Sequence, residues 1–141
     1  MDKKTQILEF IQQNRLAVVS TIDSIESKPE AALVAYSETE NLELIFATFS
    51  DARKYENLQK NQKVALVIGG WDEDITVQYE GVAIELEGAD VEEYRKIHLA
   101  KNPESEGYAY DEKQRYFKIT PTWIRYSDLT KEPPEIFEIS L

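Results

Sequence analysis

Residues 75–87, ITVQYEGVAIELE, restrict the fold more than any other stretch. Ile75, Val77 and Tyr79 alternate with Thr76, Gln78 and Glu80, the period of two expected of a strand with one buried face. After Gly81 the phase reverses, with Val82, Ile84 and Leu86 apolar and Glu85 and Glu87 polar. A one-residue slip at a glycine inside a long strand is the pattern of a β-bulge, which bends the strand. The stretch therefore predicts a long antiparallel strand turning a barrel corner at Gly81.

The other segments fit such a sheet. Ile7, Phe10 and Ile11 give residues 3–13 one apolar helical face. Leu16–Ile22 is apolar on both faces and reads as a central strand. Glu30–Tyr36 reads as the next strand; its alanines allow another backbone or a flat ring to approach, although plain packing uses small residues too. The short charged turn after it predicts that Leu42–Thr48 pairs antiparallel with that strand. Lys63–Ile68 is a second buried-type strand. A helix from Asp90 to about Lys101 carries Val91, Tyr94 and His98 on one face, where His98 reads as a packed or rim histidine. Residues 108–114 read as an irregular segment or lid. Arg115–Ile119 and Thr122–Tyr126 read as strands either side of Pro121, and Ile136–Leu141 as the last strand. Hairpins outnumber helical crossovers, which predicts a mainly β, α+β chain: an antiparallel barrel or curled sheet of about six to eight strands with short flanking helices. At 141 residues, one domain over 1–141 is expected.

Charge and composition exclude several functions. A net charge of −11 disfavours nucleic acid and anionic membranes as partners. With no cysteine and a single histidine, thiolate metal sites, cysteine nucleophiles, histidine metal sites and Ser-His-Asp triads are disfavoured. The acidic loop Gly69–Asp74 lacks the ligand spacing of an EF-hand, so no metal is expected there. Neither a GxGxxG fingerprint nor a P-loop occurs. The first residues lack the apolar core of a signal peptide, and no apolar run approaches the roughly 20 residues of a membrane span, so a cytoplasmic location is expected.

Residues 44–58 hold the candidate binding site. Leu44–Phe49 reads as a strand running into Ser50 and Asp51, either of which can cap a following helix that opens with Arg53 and Lys54. A helix start offers unpaired N–H groups and a positive dipole end. With Thr48, Ser50, Arg53 and Lys54 clustered there, the junction suits a phosphate monoester. An ordinary strand–helix junction with a solvated Arg-Lys pair accounts for the same residues. In the site-forming reading, Asp51 caps the helix and faces away from the anion.

The order of elements, LAVVST, KPEAALVAY, LELIFATFSDARKYENLQKNQKVALVI and ITVQYEGVAIEL, resembles the FMN-binding split β-barrel family, the pyridoxamine 5'-phosphate oxidase-like proteins. The specific part is Phe46, Thr48, Arg53-Lys54, Asn57-Leu58 and Val64-Ala65-Leu66. The resemblance covers about residues 5–88 and extends more loosely over the C-terminal strands. It implies that Arg53 and Lys54 hold the FMN phosphate, with Thr48 and Ser50 beside it. It implies further that the backbone of Leu33 and Val34 lines the flavin ring, that Thr76 lies near the ring or ribityl chain, and that Trp123 reaches the flavin across a dimer. The family is typically homodimeric with FMN between subunits. The chain also departs from its namesake oxidases. Ala31 and Tyr36 stand where those enzymes carry an Arg and a Lys, and Trp123-Ile124-Arg125-Tyr126 lacks the histidine of their substrate motif.

The resemblance thus implies a small FMN-binding flavoprotein, a flavin-dependent oxidoreductase using a small-molecule substrate or electron donor. Turnover of pyridoxamine phosphate is not implied, and no catalytic residue is singled out. A non-catalytic module holding flavin or haem, or a deazaflavin in place of FMN, remains open on the same barrel.

Overall fold

The computed structural model describes residues Met1–Leu141. Its elements are α1 (Lys3–Gln13), β1 (Leu16–Ile22), β2 (Pro29–Ala35), β3 (Ser37–Glu38), β4 (Leu44–Phe49), α2 (Arg53–Lys60), β5 (Lys63–Gly69), β6 (Ile75–Glu85), α3 (Ala89–Lys101), a 3₁₀ turn (Pro103–Tyr108), β7 (Gln114–Asp128) and β8 (Glu135–Ser140). All ladders are antiparallel and form one curled sheet in the order β2-β1-β5-β6-β7-β4-β3, with β8 also on β7. The α+β class and curled antiparallel sheet match the expectation. No helix is long and apolar enough to cross a membrane.

β7 explains why the sheet divides. One edge of β7 pairs with β6 along nearly its whole length, whereas its other edge is shared. Gln114–Ile119 pairs with β4, and Trp123–Asp128 pairs with β8. The two expected strands around Pro121 are therefore one continuous strand. A proline can sit there because the ladder is already interrupted. Glu80 pairs with Trp123 and Gly81 with Pro121, so Thr122 is the extra, bulged residue.

This corrects the reading of β6. The register slip falls at Gly81 as expected, but the added residue belongs to β7. β6 keeps its alternation unbroken: Val77, Tyr79, Gly81 and Ala83 are all buried. Val82 and Ile84 land on the outer face, and Ile84 is exposed. The glycine serves to admit the neighbouring strand. A Cβ on Gly81 would lie 2.4 Å from the Thr120 carbonyl oxygen and 2.9 Å from Ile119 Cγ2.

A second correction concerns β4. It does not pair with β2, which is an edge strand beside β1; it pairs with the two-residue β3 and with β7. The chain leaves β2 at Tyr36, whose N–H donates to the Arg15 carbonyl and whose hydroxyl donates to the Ile11 carbonyl at 2.7 Å. That anchor pulls the following residues under α1 and out of register with β2. The core fills the concave side of the sheet, where Ile7 and Ile11 of α1 and Leu58 of α2 join Phe46, Tyr79, Phe117 and Ile124. A smaller cluster, Ile45, Leu86 and Tyr116, seats α3 on the opposite face. Residues 108–114 are largely irregular, as expected, and lie against the body of the protein: Ala109 is buried, and Tyr110 stacks on the Arg95 guanidinium at 4.4 Å.

His98 is packed within α3. It is 3% exposed, with Nδ1 3.0 Å from Ser37 Oγ, and burial pushes its pKa down to about 4. Its charge therefore works against the fold in acid. Above pH 6.5 neither the folded nor the unfolded form is protonated. As pH falls from 6.5 towards 4 the unfolded chain takes up a proton that the folded chain refuses. Urea titrations should show ~3 kcal/mol of stability lost across that window, and His98→Gln should remove most of that slope. Gly81→Ala should cost about 1–3 kcal/mol in the same assay, because backbone rather than a flexible side chain must give way.

Candidate functional site

The strand–helix junction is built differently at its cap and as expected at its cations. Ala52 occupies the N-cap of α2 and makes no side-chain cap hydrogen bond. The predicted caps are drawn elsewhere: the Ser50 N–H donates to the Lys113 carbonyl at 2.8 Å, and the Asp51 carboxylate pairs with Lys113 Nζ at 3.1 Å. The loop before β7 thus takes both residues, and Asp51 is absent from the cleft beside Arg53. The first N–H groups of α2 are left without a side-chain acceptor, next to two cations.

Arg53 and Lys54 meet Thr21, Glu30, Ala31 and Ala32 around a cleft of about 130 Å³. The cleft has room for a phosphate group. Lys54 is half-buried without an ion-pair partner, and burial alone lowers its pKa. A lysine held that way gains from an incoming anion. Arg53 is already partnered: its Nη1 lies 3.2 Å from Glu30 Oε2. Glu30 Oε1 accepts from Asn57 Nδ2 at 2.9 Å, and the same Nδ2 donates to Thr21 Oγ1 at 2.9 Å. The donor set fits a phosphate monoester, with Glu30 as its single discordant member.

The other predicted residues lie apart from this cleft. Thr76 and Trp123 meet in a concavity of about 420 Å³ on the outer face, which also takes in Val18, Val67 and Gln78. Trp123 Nε1 donates to Glu138 Oε1 at 2.9 Å, which fixes the indole there. An adjoining hollow of about 500 Å³ shares Ser20, Ala65 and Glu80 with it. Leu33 pairs with Val18 and so presents to the same outer face, where it is 58% exposed. Val34 turns inward and is buried in the core. Thr48 is buried, with Oγ1 3.5 Å from the Phe49 carbonyl oxygen, and neither it nor Ser50 lines the cleft. Within one chain the eight residues therefore divide into a phosphate-sized cleft holding Arg53 and Lys54, an open outer face holding Leu33, Thr76 and Trp123, and the remaining three.

Sequence reasoning gave no site role to Thr21 or Glu30, and named Asn57 only as part of the pattern that carries the resemblance. A further signal was its spacing: Asn57 follows Arg53 by four on α2, so the two share a helix face. Glu30 carried none, because a lone acid opening a strand is common on any surface. Tyr36, at the second departure from the oxidase pattern, is buried, with Lys101 Nζ 4.1 Å from its ring centre. It supports α1 and faces no cleft.

The sequence profile described as pyridoxamine 5'-phosphate oxidase matches residues 4–128. No curated protein matches by sequence. Among solved structures, general stress protein 26 from Bacillus anthracis str. Sterne is 24% identical with a TM-score of 0.76, covering 99% of this chain and 100% of that one. A heme binding protein from Mycobacterium smegmatis is 16% identical with a TM-score of 0.82, covering 99% of this chain and 59% of that one. A Clostridium acetobutylicum protein related to general stress protein 26 of B. subtilis, of the pyridoxinephosphate oxidase family, is 15% identical with a TM-score of 0.73, covering 99% and 97%. At these identities the likenesses establish the fold.

Asn57→Ala should destabilise the protein by about 1–3 kcal/mol in urea, since it strips a partner from two groups at once. Asn57→Asp should cost more, because it sets a second carboxylate against Glu30.

Proposed function

The chain belongs to the pyridoxamine 5'-phosphate oxidase family, and from that premise we propose that it is a small FMN-binding flavoprotein, a flavin-dependent oxidoreductase acting on a small substrate. The observation that carries the proposal is the cleft where Arg53 and the unpartnered Lys54 meet at an uncapped helix start. Arg53 would grip the phosphate through its planar fork, and Lys54 would add a point charge. When bound, the flavin ring supplies the hydride and electron chemistry, so few protein groups need to react.

The ring would lie outside the phosphate cleft, against the backbone of Leu33 and Val34 at the exposed edge strand β2. The outer face bearing Leu33, Val67, Thr76 and Trp123 is open and partly apolar, so a second copy of the chain would cover it and enclose the flavin. In that arrangement Thr76 and Trp123 serve the partner's cofactor, which explains why they stand apart from Arg53 within one chain. Thr48 and Ser50 would act by fixing the junction and not by touching the phosphate. Pyridoxamine phosphate itself is disfavoured as substrate: Ala31 offers no charge, and Tyr36 is committed to the core.

The haem reading draws on the fold neighbour from M. smegmatis. It is the weaker one for this chain, whose only imidazole is buried against Ser37. Absorption of the purified protein separates the two: the near-ultraviolet and blue bands of an oxidised flavin are expected, and a Soret band would favour haem. In equilibrium titration, Arg53→Ala with Lys54→Ala should weaken FMN binding at least tenfold and leave riboflavin binding unchanged. Equal FMN affinity in the double variant would remove the phosphate site from this cleft.

A further inference from the structure

Glu30 is the one acid in the phosphate-sized cleft, and the structure fixes it there. It lies on the inner face of β2, paired with Thr21 across the ladder, and its side chain is 11% exposed. Asn57 holds one carboxylate oxygen, and Asn57 is itself buried and tied to Thr21. The Arg53 side chain, by contrast, is 69% exposed. The carboxylate is the anchored member of the pair, and the guanidinium is the member free to move. Lys54, one residue on, has no carboxylate within ion-pair reach.

We infer that Glu30 is a resident counter-anion that an incoming phosphate monoester must displace from Arg53, and that it thereby sets how strongly the site prefers a phosphorylated ligand. The inference rests on reading this cleft as the FMN phosphate site. An ion pair whose guanidinium stands in solvent is weak enough to be exchanged. The carboxylate left behind stays anchored beside the phosphate, and their repulsion in a partly buried cleft is less screened than in bulk water. An unphosphorylated flavin meets neither cost. Glu30 therefore narrows the gap in affinity between FMN and riboflavin, so the protein holds its phosphorylated ligand less tightly than its two cations alone would allow.

The test titrates the full chain with FMN and with riboflavin, in the wild type, in Glu30→Gln, in Arg53→Ala, and in Glu30→Gln combined with Arg53→Ala. Glutamine keeps an acceptor for Asn57 while removing the charge. Glu30→Gln should tighten FMN binding about tenfold and leave riboflavin unchanged. Measured against Arg53→Ala alone, the gain from Glu30→Gln should shrink, since only the repulsion between Glu30 and the phosphate then remains to be relieved. If Glu30→Gln does not fold, Glu30→Asp, shorter by one methylene, should give a smaller gain in the same direction. A wild type that prefers FMN, with a Glu30→Gln variant that does not bind it more tightly, would overturn the inference and leave the cofactor site standing. A gain shared equally by riboflavin would also overturn it, since it would mark a packing effect. A wild type that binds the two flavins alike, or neither, would overturn the inference together with the phosphate site.

Discussion

The close approach of β7 to Gly81 is the contact on which the rest of this structure depends. Where a Cβ would stand, the Thr120 carbonyl lies 2.4 Å away, and the backbone of β7 takes on its additional residue there, at Thr122. Gly81 is not among the glycines with positive φ, so what the position requires is space and not a special conformation. The bulge separates the half of β7 that carries β4 from the half that carries β8. The position of β4 then decides where α2 begins, and so where Arg53 and Lys54 stand.

Electrostatics in this chain are a matter of place more than total. The net charge of −11 disfavours anions in general, yet the α2 start assembles two cations and a helix end without a side-chain cap. Glu30 keeps that assembly from being a simple positive patch. Its carboxylate is shared between a buried amide and an exposed guanidinium, so the cleft is neither vacant of counter-charge nor neutralised at Lys54.

Much of the fold was legible because local signals were strong. The bounds of α1 and β1 coincide with the hydrophobic pattern, and the register slip lies at the glycine where it was expected, although the added residue is on β7. Pairing was less legible. A charged turn between two apolar strands suggested a hairpin of β2 with β4, but burial of Tyr36 and its bond to α1 overrode the local signal. The phase change in β6 misled for a related reason: Val82 and Ile84 are apolar on an outer face, so hydropathy there does not report the interior. In the site, the basic pair could be read from its doublet and its place in the chain. Glu30 and the missing side-chain cap could not, because both depend on which strand and which loop come to lie beside α2.

The order of strands in the sheet also makes the site depend on residues far along the chain. Leu44 of β4 takes Ile119 of β7 as its partner, and Phe49 takes Gln114. Until β7 is present, β4 has only the two residues of β3 beside it, and an apolar strand stands with one edge open. β1 and β5 can pair earlier, and β6 can join them by a short turn. Contacts so distant in sequence slow folding and prolong the exposure of unpaired edges. The junction carrying Arg53 and Lys54 is therefore tied to the last third of the chain, through β4 on β7 and through Lys113, which holds Ser50 and Asp51.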